Sequence, residues 1–348
     1  MVPTTLKLPA GAAAAVFLLA PAVFAGEPSD SPTLPPLRIA ELMTSPLVDV
    51  DVSGEVWVRN RASRVCFADG AAIVHPIFGA DAAREWPVRF TLQSVVHGRT
   101  AISINPIGEA IARESTVELQ RTGLVDVYHL RLDDIEQTFV FDELPGSGDL
   151  VLTIDVETDL DAVDGDVISF AHPTRGEVRY GRAFAYDAEG RRIEIERTLD
   201  GRSIRLVVPA DFVAGATLPL TVDPPISTFT STPTTVRAKS PDITYCGSAQ
   251  RYFVCWEEET SSTNSDVFVT SFDRAGNGGG LAVAESGNAS WTTPRIAYSA
   301  ASDRLLVVAD ASIVVIFPDN AIAGRLFDPS TLTAVGASFP IGSGGFDP

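Results

Sequence analysis

A repeat with a period of 53 residues constrains this chain more than any other feature of its sequence. The pattern Pro-x-Ile-x-Tyr at 241–245 recurs at 294–298, and Arg-x-x-Val at 251–254 recurs at 304–307. A third segment, 267–273, recurs 55 positions later. A fixed period of this length is typical of solenoids, propellers and arrays, in which one unit cannot bury its apolar face alone. Two units are fewer than such an array needs, so we expect the front of a longer one.

Each unit is predicted to contain at least three short strands. In the first unit, Asp242–Tyr245 and Tyr252–Trp256 form a hairpin, Val267–Phe272 adds a strand, and Asp273–Gly278 supplies turn residues. Three or four strands in about 50 residues match a propeller blade. The alternative is a tandem array of sandwich modules, but these usually need ~100 residues each. The sequence therefore favours a propeller-type array.

Upstream of the repeat, alternating or β-branched runs lie between turn residues, a pattern that predicts antiparallel strands. The predicted strands are Val56–Arg59, Ala72–His75, Val88–Leu92, Thr116–Gln120, Val125–Leu130, Thr138–Phe141, Leu150–Val156, Val178–Tyr186, Arg192–Leu199, Ser203–Val208 and Leu218–Val222. Asp200-Gly201 and Asp187–Gly190 predict turns, because glycine accepts the positive φ that tight hairpins need. The one helical candidate is Glu109–Glu114. The fold class is therefore predicted to be all-β.

These patterns divide the chain into regions. Residues 37–223 are expected to form an antiparallel β-sandwich-like domain, with two smaller β domains as the alternative. Residues 224–240, rich in proline, serine and threonine, are expected to be a linker. Two propeller-like repeats then occupy 241–348. The sequence stops at Phe346-Asp347-Pro348, where the next opening proline would fall, so we expect a truncated array.

The N-terminus predicts export. Lys7 precedes an apolar run from Ala10 to Ala22, and Val23-Phe24-Ala25 is a small-x-small cleavage site, so residues 1–25 form a predicted signal peptide. The alternative, a membrane anchor, needs ~20 apolar residues, and Pro21 breaks this shorter run. Residues 26–36 then form a proline-rich leader. We expect a secreted, extracellular or cell-surface protein with no membrane span.

The formal net charge of −19 limits the partners of the chain. An acidic surface repels nucleic acid and anionic lipid, so we expect neither as a partner. With 45% hydrophobic residues, the chain has enough apolar material for packed cores. The expected partners are a protein or glycan ligand, further blades, or other copies of the chain.

The three cysteines, Cys66, Cys246 and Cys255, are too few for a disulfide scaffold. In a hairpin with a four-residue loop at 247–250, Cys246 opposes Arg251 and Cys255 opposes Asp242. The two sulfurs are then several residues out of register, too far apart for a bridge. Buried free thiols are expected from this register. A wider loop would change the register and allow a bridge, so the sequence leaves the thiol state open.

Motifs on both sides of the linker resemble those of large secreted bacterial β-propeller proteins. The motifs are Pro-x-Ile-x-Tyr at 241–245, Arg-Tyr-Phe-Val-Cys-Trp at 251–256, Ser-Phe-Asp-Arg-Ala-Gly at 271–276, and upstream segments at 180–183, 187–190 and 218–224. The sequence departs from the pattern at Ala309, where the first unit has Trp256. The resemblance implies extracellular placement and carries no catalytic signature.

No catalytic residue, metal ligand or cofactor is assigned from the sequence, and the ligand-binding residues stay unassigned. The four histidines, His75, His97, His129 and His172, lack the spacing of zinc sites. Neither a Gly-x-Ser-x-Gly elbow nor a phosphate-binding glycine loop occurs. Asp159–Asp166 holds clustered carboxylates, but its glycine comes one place late for a calcium loop, so a solvated turn is favoured.

The aromatic residues of the repeat have two interpretations. They are Tyr245, Tyr252, Phe253, Trp256 and Tyr298. They form either a sugar-binding platform or the core between blades, and their recurrence favours the core. We therefore expect a non-enzymatic binding or scaffold protein. The alternative is a polysaccharide-acting hydrolase or lyase whose site lies in blades outside this chain.

Overall fold

The computed structural model describes five stretches of the chain: residues 43–51, 53–230, 236–287, 289–312 and 321–342. Within these stretches the fold is all-β, with antiparallel sheets and one five-residue helix, α1, at Ala210–Ala214. The all-β prediction is confirmed. The predicted signal peptide, the leader and Phe346-Asp347-Pro348 lie outside the described residues.

The first sheet has nine strands in the described part of the chain. They are β1 (Leu47–Val50), β2 (Val56–Arg59), β3 (Ser63–Ala68), β4 (Ala71–Pro76), β5 (Val88–His97), β6 (Thr100–Ile102), β11 (Leu150–Thr158), β17 (Glu196–Asp200) and β18 (Ser203–Val208). Strands β1 to β5 pair in chain order, and β11 then lies between β5 and β18. Buried side chains alternate along β11 because successive residues point to opposite faces, so one face of the sheet is apolar.

The second sheet has eleven described strands, again antiparallel. They are β7 (Ile111–Ala112), β8 (Thr116–Gln120), β9 (Val125–Leu130), β10 (Asp134–Phe141), β12 (Asp161–Val163), β13 (Ile168–His172), β14 (Gly176–Tyr180), β15 (Phe184–Tyr186), β16 (Arg192–Glu194), β19 (Leu220–Asp223) and β20 (Pro225–Thr230). Strand β10 pairs with β9 along one edge and with β19 and β20 along the other. This central strand therefore joins distant parts of the sequence.

One hydrophobic core lies between the first and second sheets. The ring of Phe67 meets that of Tyr128 edge-on at 4.8 Å, and Phe90 meets Phe170 at 6.0 Å. Each pair takes one ring from each sheet, and such edge-to-face contacts add about 0.5–1.5 kcal/mol to the burial of the rings. Two antiparallel sheets around one core are consistent with a β-sandwich.

The repeat region contributes two further antiparallel sheets. The third sheet comprises β21 (Arg237–Cys246), β22 (Arg251–Ser261), β23 (Asn264–Phe272) and β24 (Gly278–Glu285). The fourth comprises β25 (Ser290–Ser299), β26 (Arg304–Ser312), β27 (Ala321–Asp328), β28 (Thr333–Ala334) and β29 (Phe339–Gly342). Both sheets open with a hairpin of long strands.

These two hairpins are irregular at equivalent positions. The register shifts at Ser240-Pro241 in β21 and at Thr293-Pro294 in β25. Ser240 and Thr293 have φ values of 51° and 54°, in the left-handed region. Proline has no N–H to donate, so strands hold it at bulges or edges. The recurring proline of the sequence motif therefore marks a bulge.

The recurring aspartates Asp273 and Asp328 also have matching roles. Oδ1 of Asp273 accepts a hydrogen bond of 2.8 Å from the N–H of Ala275, and Oδ1 of Asp328 accepts one of 2.9 Å from the N–H of Ser330. Each carboxylate thus closes the turn that follows the third strand of its sheet, as aspartate commonly does.

The structure differs from the predicted linker at 224–240. Pro225–Thr230 is strand β20, which pairs with β10 and β14 of the second sheet, and the residues from Arg237 onward belong to β21. The alternating pattern of Ile226 and Thr228 suited a strand, but the flanking prolines obscured it. Residues 231–235 lie outside the described residues. From Met43 onward the described chain belongs to one compact unit.

The local predictions had mixed outcomes. The turn before β18 is confirmed, since Gly201 has a φ of 60° there, and so is the turn between β15 and β16, where Gly190 has a φ of 82°. The helical candidate Glu109–Glu114 was wrong: it contains β7, which pairs with β8. No helix of the described residues is long and apolar enough to cross a membrane.

Candidate functional site: a charged junction and two open sheet faces

The third and fourth sheets pack face to face through equivalent strands. We call one side of each sheet its leading face; in the fourth sheet it is formed by Ile296, Tyr298, Leu305, Val307 and Phe327. The opposite side is the trailing face; in the third sheet it is formed by Cys246, Phe253, Cys255, Val267 and Val269. These two faces share one hydrophobic core.

Acidic side chains of the third sheet fix this packing. The N–H of Ile296 donates to Oδ2 of Asp242 at 2.9 Å, and the N–H of Thr293 donates to Oε2 of Glu257 at 2.7 Å. Both donors belong to β25. Hydrogen bonds to charged groups contribute about 1.5–3 kcal/mol each, so they hold β25 in one register against the third sheet.

The leading face of the third sheet is partly open. Its open part consists of Ile243, Tyr245, Tyr252, Val254 and Phe272. Ile243 is 58% exposed, whereas its equivalent in the fourth sheet, Ile296, is 6% exposed. Tyr252 is 41% exposed, and its ring lies 5.0 Å from that of Tyr245.

The trailing face of the fourth sheet is open as well. It consists of Leu306, Val308, Ile322 and Leu326, the equivalents of Phe253, Cys255, Val267 and Ser271. Ile322 is 39% exposed, whereas Val267 is fully buried. Both ends of the two-sheet stack therefore present apolar surface in the part of the chain that the structure describes.

The rest of the third sheet's leading face contacts the first sheet. Trp256 stacks on Phe268 at 6.0 Å, and both belong to a cluster with Met43 and Val283. Beside it lies a buried group of charges that we call the charged junction: Arg59, Arg64, Glu85, Glu258 and Asp266.

The charged junction joins β2 and β3 to β22 and β23. Nη2 of Arg59 donates to Oε1 of Glu258 at 3.1 Å, and Nε of Arg59 lies 3.3 Å from Oδ2 of Asp266. Nη1 of Arg64 lies 3.3 Å from Oδ1 of Asp266, and its Nη2 pairs with Glu85. Arginine suits this position, since its planar fork serves several acceptors at once.

Arg64 also binds the backbone after β24. Its Nη1 donates to the carbonyls of Ser286 at 3.1 Å and Gly287 at 2.7 Å. A second ion pair, Arg325 with Asp49 at 2.5 Å, joins the fourth sheet to β1. Buried hydrogen bonds and ion pairs thus join residues that are more than 200 positions apart in sequence.

Carboxyl groups in the charged junction, and Glu285 beside it, have pKa values shifted in opposite directions by burial and by neighbouring charges. Burial raises the pKa of Glu258 to about 7, and burial together with the charge of Asp49 raises that of Glu285 to about 8. Burial also opposes ionisation of Glu85, but Arg64 and His75 lower its pKa to about 2. The carboxylates beside the arginines are therefore sensitive to the loss of those partners.

The cysteines lie as the predicted register places them. Cys246 pairs with Arg251 and Cys255 with Asp242, and all three cysteines are buried and free. Burial raises the pKa of Cys255 to about 12 and also raises that of Cys66. Cys66 and Cys255 are therefore held as thiols, and nucleophilic chemistry requires a thiolate.

The histidines and the acidic turn, which the sequence offered as possible metal sites, do not come together in the structure. His75 lies 3.2 Å from Glu85 at the charged junction, whereas His97 contacts the carbonyl of Pro145. In the acidic turn, Asp159 pairs with Arg84 at 2.8 Å, as a separate ion pair. Among the described residues, no three His, Cys, Asp or Glu side chains form a group suited to a metal ion.

The aromatic residues of the repeat divide between core and surface. Phe253 is fully buried between the third and fourth sheets, and Tyr298 packs on that core. Trp256 lies against the first sheet, while Tyr245 and Tyr252 lie on the open leading face. Their exposures differ because different neighbours cover the two sheets. The sequence repeat by itself does not contain this information.

A cleft of about 510 Å³ lies beside the β3–β4 turn. Its charged lining residues are three acids, Glu55, Asp69 and Glu109, and one base, Arg121. Burial and the charge of Asp51 raise the pKa of Glu55. An acidic cleft repels anions and suits hydroxyl-rich or cationic ligands. These residues come from separate loops, so no local pattern in the sequence marks them as a group.

No protein-family model matches the chain, and no curated protein is significantly similar to it.

Proposed function

We propose that this chain is a secreted or cell-surface protein, non-enzymatic, whose β-sandwich carries propeller-like repeats as a scaffold for a protein or glycan ligand. One observation carries the proposal: the leading face of the fourth sheet packs on the trailing face of the third through the recurring Ile-x-Tyr strand. Blades of a propeller stack in this way around a channel, each buried against its neighbours.

The charged junction supports the scaffold role. A buried network in which charges meet opposite charges fixes one arrangement of its elements more strongly than apolar contact alone. Here it ties the third sheet to the first, so the repeat sheets are presented in a fixed position relative to the junction strands. A binding surface on fixed elements loses less entropy when it binds.

The second candidate function is a polysaccharide-acting hydrolase or lyase. The acidic cleft favours it, because a carboxyl group with a raised pKa such as Glu55 suits a general acid, and Asp69 and Glu109 supply further carboxylates. In this hypothesis Glu55 is the acid, and Glu55→Gln abolishes turnover.

The test separates binding from turnover. The purified full chain is incubated with beads of cellulose, chitin and alginate, and with envelope fractions of its producing cell. We expect retention on a polymer or envelope fraction, with no release of reducing ends or unsaturated sugars. Release that Glu55→Gln abolishes would establish the enzyme instead. A chain found free in the cytoplasm of its producing cell, and retained by none of the fractions, would overturn the proposal.

A further inference from the structure

The two open faces at the ends of the stack repeat the two halves of an interface that the chain already makes. Ile243, Tyr245 and Tyr252 correspond to Ile296, Tyr298 and Leu305; Ile296 and Leu305 are buried, and Tyr298 packs partly buried against the same core. Leu306, Val308 and Ile322 correspond to Phe253, Cys255 and Val267, which cover them. Each open face thus has the apolar character of one side of the buried core.

We propose that the open leading face of one copy packs on the open trailing face of a second copy, head to tail. The inference rests on the proposed stacking of blade-like sheets and names another copy of this chain as a partner. Because the two faces differ, the contact is heterologous. Two joined copies therefore keep one free face at each end, and further copies add to give open chains, or rings where the two ends meet, rather than a closed symmetric dimer.

One hydrogen-bonding position supports the same register. Glu257 accepts from the N–H of Thr293 at the observed interface. The equivalents are Asp310, which is exposed on the trailing side of the fourth sheet, and Ser240, which has the same left-handed bulge conformation as Thr293. Within the chain, Oδ2 of Asp310 accepts from the Thr293 hydroxyl at 2.9 Å, so its Oδ1 is the oxygen positioned to accept from the Ser240 N–H of the next copy.

A second position weakens the contact relative to the internal one. The Asp242 carboxylate accepts a hydrogen bond from the N–H of Ile296 within the chain. The equivalent of Asp242 in the fourth sheet is Arg295, whose side chain has no acceptor. The sandwich also occupies part of the leading face, beside Trp256. We therefore expect concentration-dependent association rather than a permanent complex.

The experiment uses sedimentation velocity on the full chain over a range of concentrations. Ile243→Glu disables the leading face, and Ile322→Glu disables the trailing face; both side chains are substantially exposed, so folding should be unaffected. The matched control is Val163→Glu, which changes a 49% exposed side chain in β12 of the second sheet. Wild type and control should grow beyond a dimer as concentration rises.

Each face variant alone should associate at least about tenfold more weakly than the wild type, a loss of roughly 1.4 kcal/mol. An equimolar mixture of the two variants should form a dimer and stop there, since each supplies the one intact face that the other lacks. Wild type that stays monomeric, or association that only one variant weakens, would overturn the inference. Polymer cleavage in the binding assay would overturn only the proposed function, because sedimentation does not depend on it.

Discussion

Two contacts of the first sheet hold it to its neighbours by different chemistry. The core joins it to the second sheet by apolar packing, and the charged junction joins it to the third sheet by ion pairs. The core buries aliphatic and aromatic side chains such as Leu152 and Phe170, both fully buried. The junction buries Arg59, Arg64 and Asp266 almost as completely. Apolar burial stabilises in any close-packed arrangement, whereas buried charges tolerate only the arrangement in which each has its partner. The junction is therefore the more selective contact.

The largest effect is expected at the charged junction. Arg64→Met leaves Asp266 and Glu85 without one of their cations, and breaking a buried pair from one side destabilises by about 3–5 kcal/mol. Urea unfolding followed by tryptophan fluorescence measures the loss, and Trp57 reports on it directly because Arg64 lies over its ring. The control, Arg113→Met, removes an exposed pair with Glu118 and should change little.

Adding Asp266→Asn to Arg64→Met should restore part of the stability, because it removes a buried carboxylate that has lost one of its two arginine partners. An effect of Arg64→Met no larger than that of the control would show that the junction tolerates unpaired charge, and the contrast with the core would fail.

A smaller effect of about 3 kcal/mol is expected from Leu152→Ala in β11, which leaves a cavity in the core. Urea titration measures it, with Val151→Ala, at a partly buried position of the same strand, as control. Combined with Arg64→Met, the two losses should add within about 0.5 kcal/mol, since the sites share no partner. A strong coupling between them would mean that the core and the junction are one unit rather than two.

The smallest effect is a pH dependence at Glu285. Its pKa of about 8 lies above the ordinary value of 4.5, so its contribution to stability is fully present below pH 4.5 and is lost as pH rises through about 8. Asp49, Asp51 and Arg325 are the charges that influence it. Glu285→Gln stays neutral, so it should match the wild type near pH 4.5 and exceed it at pH 9 by on the order of 2 kcal/mol, from about 1.4 kcal/mol per pKa unit reduced by relaxation.

Thermal unfolding between pH 4.5 and pH 9 measures this difference. The exposed Glu196→Gln on β17 is the control and should follow the wild type at every pH. A Glu285→Gln variant that is no more stable than the wild type at pH 9 would show that Glu285 is ionised at no cost.

Much of the fold was predictable because its signals are local. Val56–Arg59, Thr116–Gln120, Val125–Leu130 and Ser203–Val208 are strands with the predicted bounds, since alternation and turn residues define them without reference to the rest of the chain. The register around Cys246 followed from the length of one turn. Strand β20 was missed because its prolines resemble a linker, and only pairing with β10 and β14 reveals it.

The candidate surfaces were less predictable. The recurrence of Ile243 and Tyr245 predicted positions that pack between sheets, and it gave both copies the same expected environment. In the structure Ile296 is buried, whereas Ile243 is 58% exposed. No sequence signal distinguished them, because coverage depends on what lies on the other side of each sheet.

The sequence by itself determined many of the strands, the two tight turns and the recurring faces of the two repeat sheets, since each depends on residues within a few positions of one another. Tertiary structure alone decided which charges pair: Arg59 binds Glu258 and Arg64 binds Asp266, each about 200 positions away in sequence. Buried ion pairs stabilise only when geometry and desolvation are both satisfied, and those conditions arise from the packing of whole sheets rather than from any local pattern.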